Sequence, residues 1–157
     1  MLFALKMTME ESNKHCIVAV SGGFDPLHFA HVDMFKAAKQ LAGKNGRLVV
    51  IVNNDNWICK KRDRIFMPEK ERVHIIEAIR YVDNVVLTEH VKNDKDMSIC
   101  NTLRKVKPDI FANGGDRTLD NIPEAKLCKE LGIRMVFNVG PPKIQSSSWL
   151  LDKYYSV

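Results

Sequence analysis

The 157-residue sequence lacks several features that would assign it to a specialised class of protein. No apolar run approaches the roughly 20 residues needed to cross a bilayer, which argues against a membrane span. The four cysteines include no C-x-x-C pair, so structural zinc and a secreted disulfide framework are both disfavoured. Residues 1–13 carry no signal-peptide pattern and are interpreted as a flexible leader. The sequence therefore predicts a cytoplasmic protein with a single domain at residues 14–157.

Aromatic residues are few and are not interleaved with the basic ones. The formal net charge is +5 at pH 7, which favours an anionic partner. The densest basic cluster, K-K-R-D-R at residues 60–64, contains no aromatic residue, so the sequence lacks a platform on which bases could stack. Small phosphates are therefore favoured over nucleic acid.

Short β-branched runs alternate along the chain with segments of helical period. The runs predict strands at residues 15–20, 47–52, 82–87, 109–112 and 134–139. The periodic segments predict helices at residues 29–42, from 68 onward, and at 97–106, 121–131 and 146–155. This order predicts an α/β fold with a Rossmann-like, open parallel five-stranded sheet and helices on both faces. Ligands of such sheets bind beyond the carboxyl ends of the strands, at the topological switch point.

Two glycine pairs directly follow predicted strands. Gly22-Gly23 comes after the first strand and Gly114-Gly115 after the fourth. Glycine at such a position lets the backbone approach a ligand closely or turn tightly. Because both pairs fall at the same end of one sheet, they indicate a shared ligand.

His28 and His31 lie on one face at the start of the first predicted helix. Zinc would need further ligands, which neither an H-x-x-x-H motif nor a cysteine pair supplies. A nucleophile would need an oriented base, and the stretch offers no such arrangement. A phosphate needs only donors, and a helix N-terminus already provides free N–H groups. The pair therefore favours a phosphate site, with two ordinary surface histidines as the alternative.

Residues 22–31, G-G-F-D-P-L-H-F-A-H, resemble the G-x-F-D-x-x-H-x-G-H signature of the cytidylyltransferase-like nucleotidyltransferases. Glu71-Arg72 with I-R-Y-V-D-N-V-V at 79–86 is similar to the family's E-x-R … R-Y-V-D-E-V-V stretch. Q-S-S-S at 145–148 is similar to its I-S-T-T motif. The three motifs occur in family order, and the resemblance covers residues 15–155.

The resemblance implies transfer of a nucleotidyl group from a nucleoside triphosphate to a small phosphomonoester such as a polyol or sugar phosphate, with release of pyrophosphate. The acceptor is already an anion, so catalysis reduces to positioning and to stabilising charge on the phosphoryl oxygens. Mg²⁺ carried mainly by the phosphates is the implied cofactor. A homodimer is also expected, with neither nucleic acid nor a membrane as a partner.

Residue roles follow from the same resemblance. His28 and His31 would contact the triphosphate, while Lys61 (or Lys60) and Arg72 would neutralise the phosphates. Asp25 would orient the site or its metal. The remaining predicted nucleotide-binding residues are Gly22, Gly23, Phe24, Gly114, Gly115, Asp116, Lys143, Ser146 and Ser147.

The sequence departs from the family pattern at two places. Ala30 stands where the signature has glycine, so a methyl group is expected to project towards the nucleotide. The arginine that usually precedes I-S-T-T is missing, and Lys143 is the local cation that could replace it, without the bidentate geometry of arginine. A nucleotide-binding protein without catalytic activity is therefore an alternative to an enzyme.

The motifs disagree on the nucleotide. R-Y-V-D-N-V-V at 80–86 resembles the cytidylyltransferases for glycerol phosphate and choline phosphate, whereas N-G-G-D at 113–116 resembles the K-G-G-D of heptose-1-phosphate adenylyltransferases. The balance of motifs favours CTP, with ATP and a sugar phosphate as the alternative.

Overall fold

The computed structural model describes residues 15–115, 117–143 and 145–155, so the predicted leader at 1–13 and Asp116 lie outside the described residues. The strands are β1 (Ile17–Gly22), β2 (Arg47–Val52), β3 (Asn84–Leu87), β4 (Ile110–Ala112) and β5 (Arg134–Val136). The α-helices are α1 (Phe29–Ala42), α2 (Asp55–Arg62), α3 (Glu69–Glu77), α4 (Cys100–Val106), α5 (Ala125–Leu131) and α6 (Ser147–Tyr155).

The five strands form one parallel sheet in the order β3-β2-β1-β4-β5. The chain moves outwards from β1 through β2 to β3 and then returns to the other side of β1. The reversal places the topological switch point between β1 and β4, where ligands of such sheets bind. The Rossmann-like α/β prediction is confirmed.

Helices cover both faces of the sheet because successive strand residues point to opposite sides. One core joins strand residues with α1 and α3, and it includes Val18, Val20, Val50, Phe35 and Ile76. The other core joins the intervening strand residues with α4 and α5, and it includes Ala19, Ile51, Phe111, Leu103 and Leu127. None of the helices in the described parts of the chain is long and apolar enough to cross a membrane.

The segment that contains the basic cluster, for which the sequence predicted no helix, forms α2. Asn54 caps this helix, because its side-chain oxygen accepts a hydrogen bond from the backbone N–H of Trp57 at 3.1 Å. An acidic residue lies in the first turn and Lys60, Lys61 and Arg62 lie in the last, which complements the helix dipole. Only Ile58 is fully buried, so no apolar stripe marked the helix in the sequence.

Candidate active site

The carboxyl ends of β1 and β4 open into a cavity of about 290 Å³ at the switch point. The start of α1 forms one wall, and the start of α6 with the loop before it forms another. Predicted nucleotide-binding residues that line this cavity are Gly22, Phe24, His28, His31, Gly114, Gly115, Lys143, Ser146 and Ser147. The structure therefore brings most of the predicted site together.

The two histidines stack at the N-terminus of α1, with ring centroids 3.7 Å apart and ring planes 21° apart. The backbone N–H of His28 donates to Nδ1 of His31 at 3.3 Å, so a neutral His31 carries its proton on Nε2. Burial lowers the pKa of His31 to about 3, with further lowering by the neighbouring His28 and Arg62. Burial also lowers the pKa of His28. Both rings are thus neutral near pH 7 and can serve as uncharged hydrogen-bond donors.

Both ring nitrogens of His28 are shielded from solvent and have no partner among the described residues. A neutral imidazole has one donor and one acceptor, and leaving either unpaired in a buried position costs about 1–3 kcal/mol. Such an arrangement is typical of a binding site, where a ligand supplies the missing partner. Here it supports the predicted contact with a phosphate.

The N-terminus of α6 faces the same cavity. Ser146 caps this helix, since its Oγ accepts a hydrogen bond from the backbone N–H of Trp149 at 3.1 Å. The hydroxyl of Ser147 donates to the carbonyl oxygen of Pro26 at 2.8 Å, which ties α6 to the loop that carries the histidines. Two helix N-termini therefore converge on one cavity, and each offers backbone N–H groups and a positive dipole end to an anion.

Two arginines that the sequence analysis did not select also line the cavity. Arg62 ends α2, and one of its Nη atoms donates to the carbonyl oxygen of Asp25 at 2.6 Å. Arg117 follows the second glycine pair and is exposed. The basic cluster at 60–64 indicated that a cation could lie near the site. The sequence did not predict the helical turn that places Arg62, and not its neighbours, at this cavity. Its place beyond a glycine pair was the only sequence signal for Arg117.

Arg72 faces the interior and lies outside the cavity lining, which departs from the phosphate contact that the sequence predicted. Its side chain is 0% exposed. Its guanidinium donates to the carbonyl oxygens of Gly23 at 2.7 Å, Asn53 at 2.6 Å and Met67 at 2.9 Å, and to Oδ1 of Asp55 at 2.6 Å. These bonds join the ends of β1 and β2 to α2 and to the loop before α3. Arg72 therefore supports the site from inside the protein.

Asp25 likewise faces inward and is 1% exposed. Its two carboxylate oxygens accept hydrogen bonds from the backbone N–H groups of Phe66 at 2.9 Å and Met67 at 2.6 Å. The carboxylate thus holds the loop at residues 63–67, and it lies outside the lining of the cavity. No group of three or more metal-ligating side chains occurs among the described residues.

Three further predictions concern residues near the cavity. Lys61 lines an adjoining cavity, and Lys60 donates to the carbonyl oxygen of Asp94. Gly23 is outside the cavity lining, and a Cβ there would lie 2.7 Å from Cδ1 of Ile58, so a larger residue would have to displace this buried side chain of α2. Ala30 lines the cavity, as the sequence predicted.

The model of the family described as cytidylyltransferase-like matches residues 19–148. Among curated proteins, the FAD synthase of Methanopyrus kandleri is 34% identical over 116 residues, which are 74% of this chain and 73% of that protein. The FAD synthase of Korarchaeum cryptofilum is 37% identical over 123 residues, covering 76% and 78%. The bifunctional protein HldE of Gluconobacter oxydans is 34% identical over 122 residues, 76% of this chain but 24% of that protein.

A solved structure shares the fold. The crystal structure of the lipopolysaccharide core biosynthesis protein from Thermoplasma volcanium matches with a TM-score of 0.62 and 26% sequence identity. The match covers 80% of this chain and 98% of that one. The similarity therefore extends over almost the whole of that smaller chain.

Proposed function

This chain belongs to the cytidylyltransferase-like family of nucleotidyltransferases, and we propose that it transfers an adenylyl group from ATP to a small phosphomonoester. Several of its relatives are FAD synthases, and FAD consists of FMN joined to AMP through a pyrophosphate link. A chain of that activity would need ATP and FMN. The relatives thus support the adenylyltransferase alternative and give no support to the preference for CTP.

The observation that carries the proposal is the convergence of two helix N-termini on one cavity at the switch point. The neutral His28 and His31 stand at one of them and Ser146 at the other. Nothing in this arrangement provides an oriented nucleophile, whereas every group in it can donate a hydrogen bond to a phosphate. The chemistry therefore points to phosphate binding and nucleotidyl transfer.

In the proposed reaction, an oxygen of the acceptor phosphate attacks the α-phosphorus of ATP. The new O–P bond forms as the bond to the departing pyrophosphate breaks, and no proton has to be removed from the acceptor. Nε2–H of His31 and the α6 N-terminus would hold the triphosphate in line for this attack. Arg62 and Arg117 would stabilise the charge that develops on the phosphoryl oxygens.

Mg²⁺ remains a prediction from the family resemblance. Asp25 does not fit it as a ligand, because its carboxylate is 1% exposed, is held by two backbone N–H groups and lines neither cavity. Since the described residues contain no metal-ligating cluster, we propose that the substrate phosphates carry the ion.

Pyrophosphate release with ATP, CTP, GTP and UTP tests the proposal, using FMN, glycerol phosphate and a sugar 1-phosphate as acceptors. We expect ATP to give the highest kcat/KM. His28→Ala and His31→Ala should lower kcat far more than they weaken nucleotide binding, because their donors act most strongly in the transition state. The exposed His74 provides the control variant His74→Ala. A preference for CTP would favour a cytidylyltransferase instead. Nucleotide binding without turnover would indicate an inactive nucleotide-binding protein.

A further inference from the structure

A second cavity, of about 490 Å³, adjoins the nucleotide cavity, and Ser21 and Arg117 line both. On the basis of the function proposed above, we propose that this cavity binds the acceptor. We further propose that Glu124 and Asn53 select phosphomonoesters whose organic part is uncharged and donates hydrogen bonds. The volume of the second cavity is within the range of about 300–1,000 Å³ that is typical of small-molecule sites.

The boundary between the cavities is positively charged. Arg117 lies at this boundary, and Lys61 lines the second cavity with its Nζ 4.5 Å from the centroid of the Trp57 ring. Partial burial lowers the pKa of Lys61, and the nearby Arg117 and Arg62 lower it further. No carboxylate among the described residues forms an ion pair with these three side chains. An acceptor phosphate bound here would relieve this mutual repulsion and lie next to the triphosphate.

Away from this positively charged boundary, the lining of the second cavity includes the acidic residue Glu124. Glu124 is 5% exposed, and its Oε1 accepts a hydrogen bond from the backbone N–H of Ile99 at 2.8 Å. A carboxylate can accept about four hydrogen bonds, so this contact leaves it able to accept others. A second anion beside a buried carboxylate would be repelled, whereas a neutral donor would be bound. Glu124 therefore excludes the phosphate from this end and favours O–H or N–H groups.

Asn53 reinforces this preference. It is 5% exposed, lines the second cavity, and has a side-chain oxygen without a partner among the described residues. A buried amide oxygen without a donor is costly, and a donor group on a bound acceptor would satisfy it. The backbone of Asn53 is fixed by hydrogen bonds to Gly22 and Arg72, so the residue is held at the end of β2.

One wall of the second cavity is apolar and rigid enough to position a carbon framework. It is formed by Trp57, Met97, Ile99 and Pro123. The indole Nε1–H of Trp57 donates to the carbonyl oxygen of Met97 at 2.9 Å, which holds the ring in place. The combined features suit a phosphate at one end and neutral donors at the other. Both the imide N–H of a flavin and the hydroxyls of a sugar have this chemistry.

Glu124→Gln tests the proposal, because glutamine keeps an oxygen for the Ile99 N–H but replaces the second acceptor by a donor. Binding of FMN is measured by quenching of flavin fluorescence, and binding of mannose 1-phosphate by calorimetry, both without turnover. We expect affinity for the bound acceptor to fall about tenfold while ATP affinity is unchanged. The acceptor that shows this loss identifies the flavin or the sugar as the source of the donors. The exposed Glu77 provides the matched control, Glu77→Gln.

Lys61→Met is the second variant, since methionine removes the charge but keeps an apolar side chain beside the Trp57 ring at the end of α2. It should also weaken acceptor binding more than ATP binding. Any of three results would overturn the inference. Glu124→Gln could leave the affinity for both probes unchanged, or either variant could weaken ATP binding alone. The third result is that neither probe binds to the wild-type protein. Failure of pyrophosphate release with intact, Glu124-dependent binding would instead refute the proposed function and leave the acceptor site standing.

Discussion

Replacing Arg72 by alanine separates a supporting role for this residue from the phosphate-binding role that its sequence motif suggests. In the structure the guanidinium makes four hydrogen bonds and is inaccessible to solvent. Alanine would leave the carbonyl oxygens of Gly23, Asn53 and Met67 without these donors and Asp55 without its ion-pair partner. The substitution is therefore expected to destabilise the fold and not merely to weaken a ligand contact.

The magnitude follows from the number of groups left unpaired. Each buried acceptor that loses its donor costs about 1–3 kcal/mol, and breaking a buried ion pair typically costs about 3–5 kcal/mol. Asp55 is 30% exposed and can regain water, so its share is at the low end. Three carbonyls at the lower limit already give about 3 kcal/mol, and we expect Arg72→Ala to lower the free energy of unfolding by about 3–5 kcal/mol. That loss is a large part of the roughly 5–15 kcal/mol of a typical domain.

Urea denaturation followed by circular dichroism measures this difference directly. The exposed Arg80 offers the control variant Arg80→Ala, which should change stability by less than about 0.5 kcal/mol. If Arg72→Ala proved as stable as Arg80→Ala but bound ATP much more weakly, Arg72 would be a ligand-binding residue and the internal role inferred from the structure would be wrong.

Three further predictions concern the cavity at the switch point. The pKa of His31 without ligand should lie near 3 and rise when ATP binds, as measured by NMR. Because the unfolded state takes up this proton below pH 6.5, the free energy of unfolding should fall as the pH drops from 6.5 towards 3. A ligand-free pKa near 6.5 would contradict the burial argument. Ala30→Gly should be tolerated and should tighten ATP binding in calorimetry, at a cost of up to about 1 kcal/mol of stability, and a large loss of activity in a folded variant would show a pocket built around alanine. Lys143→Ala should raise the KM for ATP, because Lys143 lines the cavity beside the start of α6. Lys143→Arg should retain most of the activity. Unchanged kinetics in both variants would assign the role to Arg62 or Arg117.

The sequence predicted the fold well where burial and periodicity agree. The strand at 47–52 and the helix at 29–42 have the predicted bounds, because one is an uninterrupted apolar run and the other carries a clear apolar stripe. The helix predicted from residue 97 begins instead at Cys100. The residues before it are used in tertiary contacts: the carbonyl oxygen of Ser98 bonds to His90, and the N–H of Ile99 bonds to Glu124. Such distant partners leave no trace in a local pattern.

The site was predictable where its geometry is local. His28 and His31 are three residues apart on one helix, so the sequence alone places them together at its N-terminus. The cations were not predictable in this way, because the charge of an arginine does not show whether it faces solvent or the interior. Arg72 is directed inward by two carbonyls that lie 49 and 19 residues away in the sequence, those of Gly23 and Asn53.

Two features that the sequence did not predict, the inward direction of Arg72 and the position of Arg62 at the cavity, both depend on the helix α2. Its last turn carries Lys61 and Arg62 to the two cavities, and its first turn is held by the ion pair between Asp55 and Arg72. The backbone N–H of Asp55 also donates a hydrogen bond to Oε2 of Glu69 at 2.7 Å, which ties the same turn to α3. The buried Arg72 thus helps to position Lys61 and Arg62. The sequence analysis had assigned Arg72 and Lys61 the same role of neutralising phosphates. Loss of Arg72 is therefore expected to displace the cations that line the two cavities, although Arg72 itself lines neither.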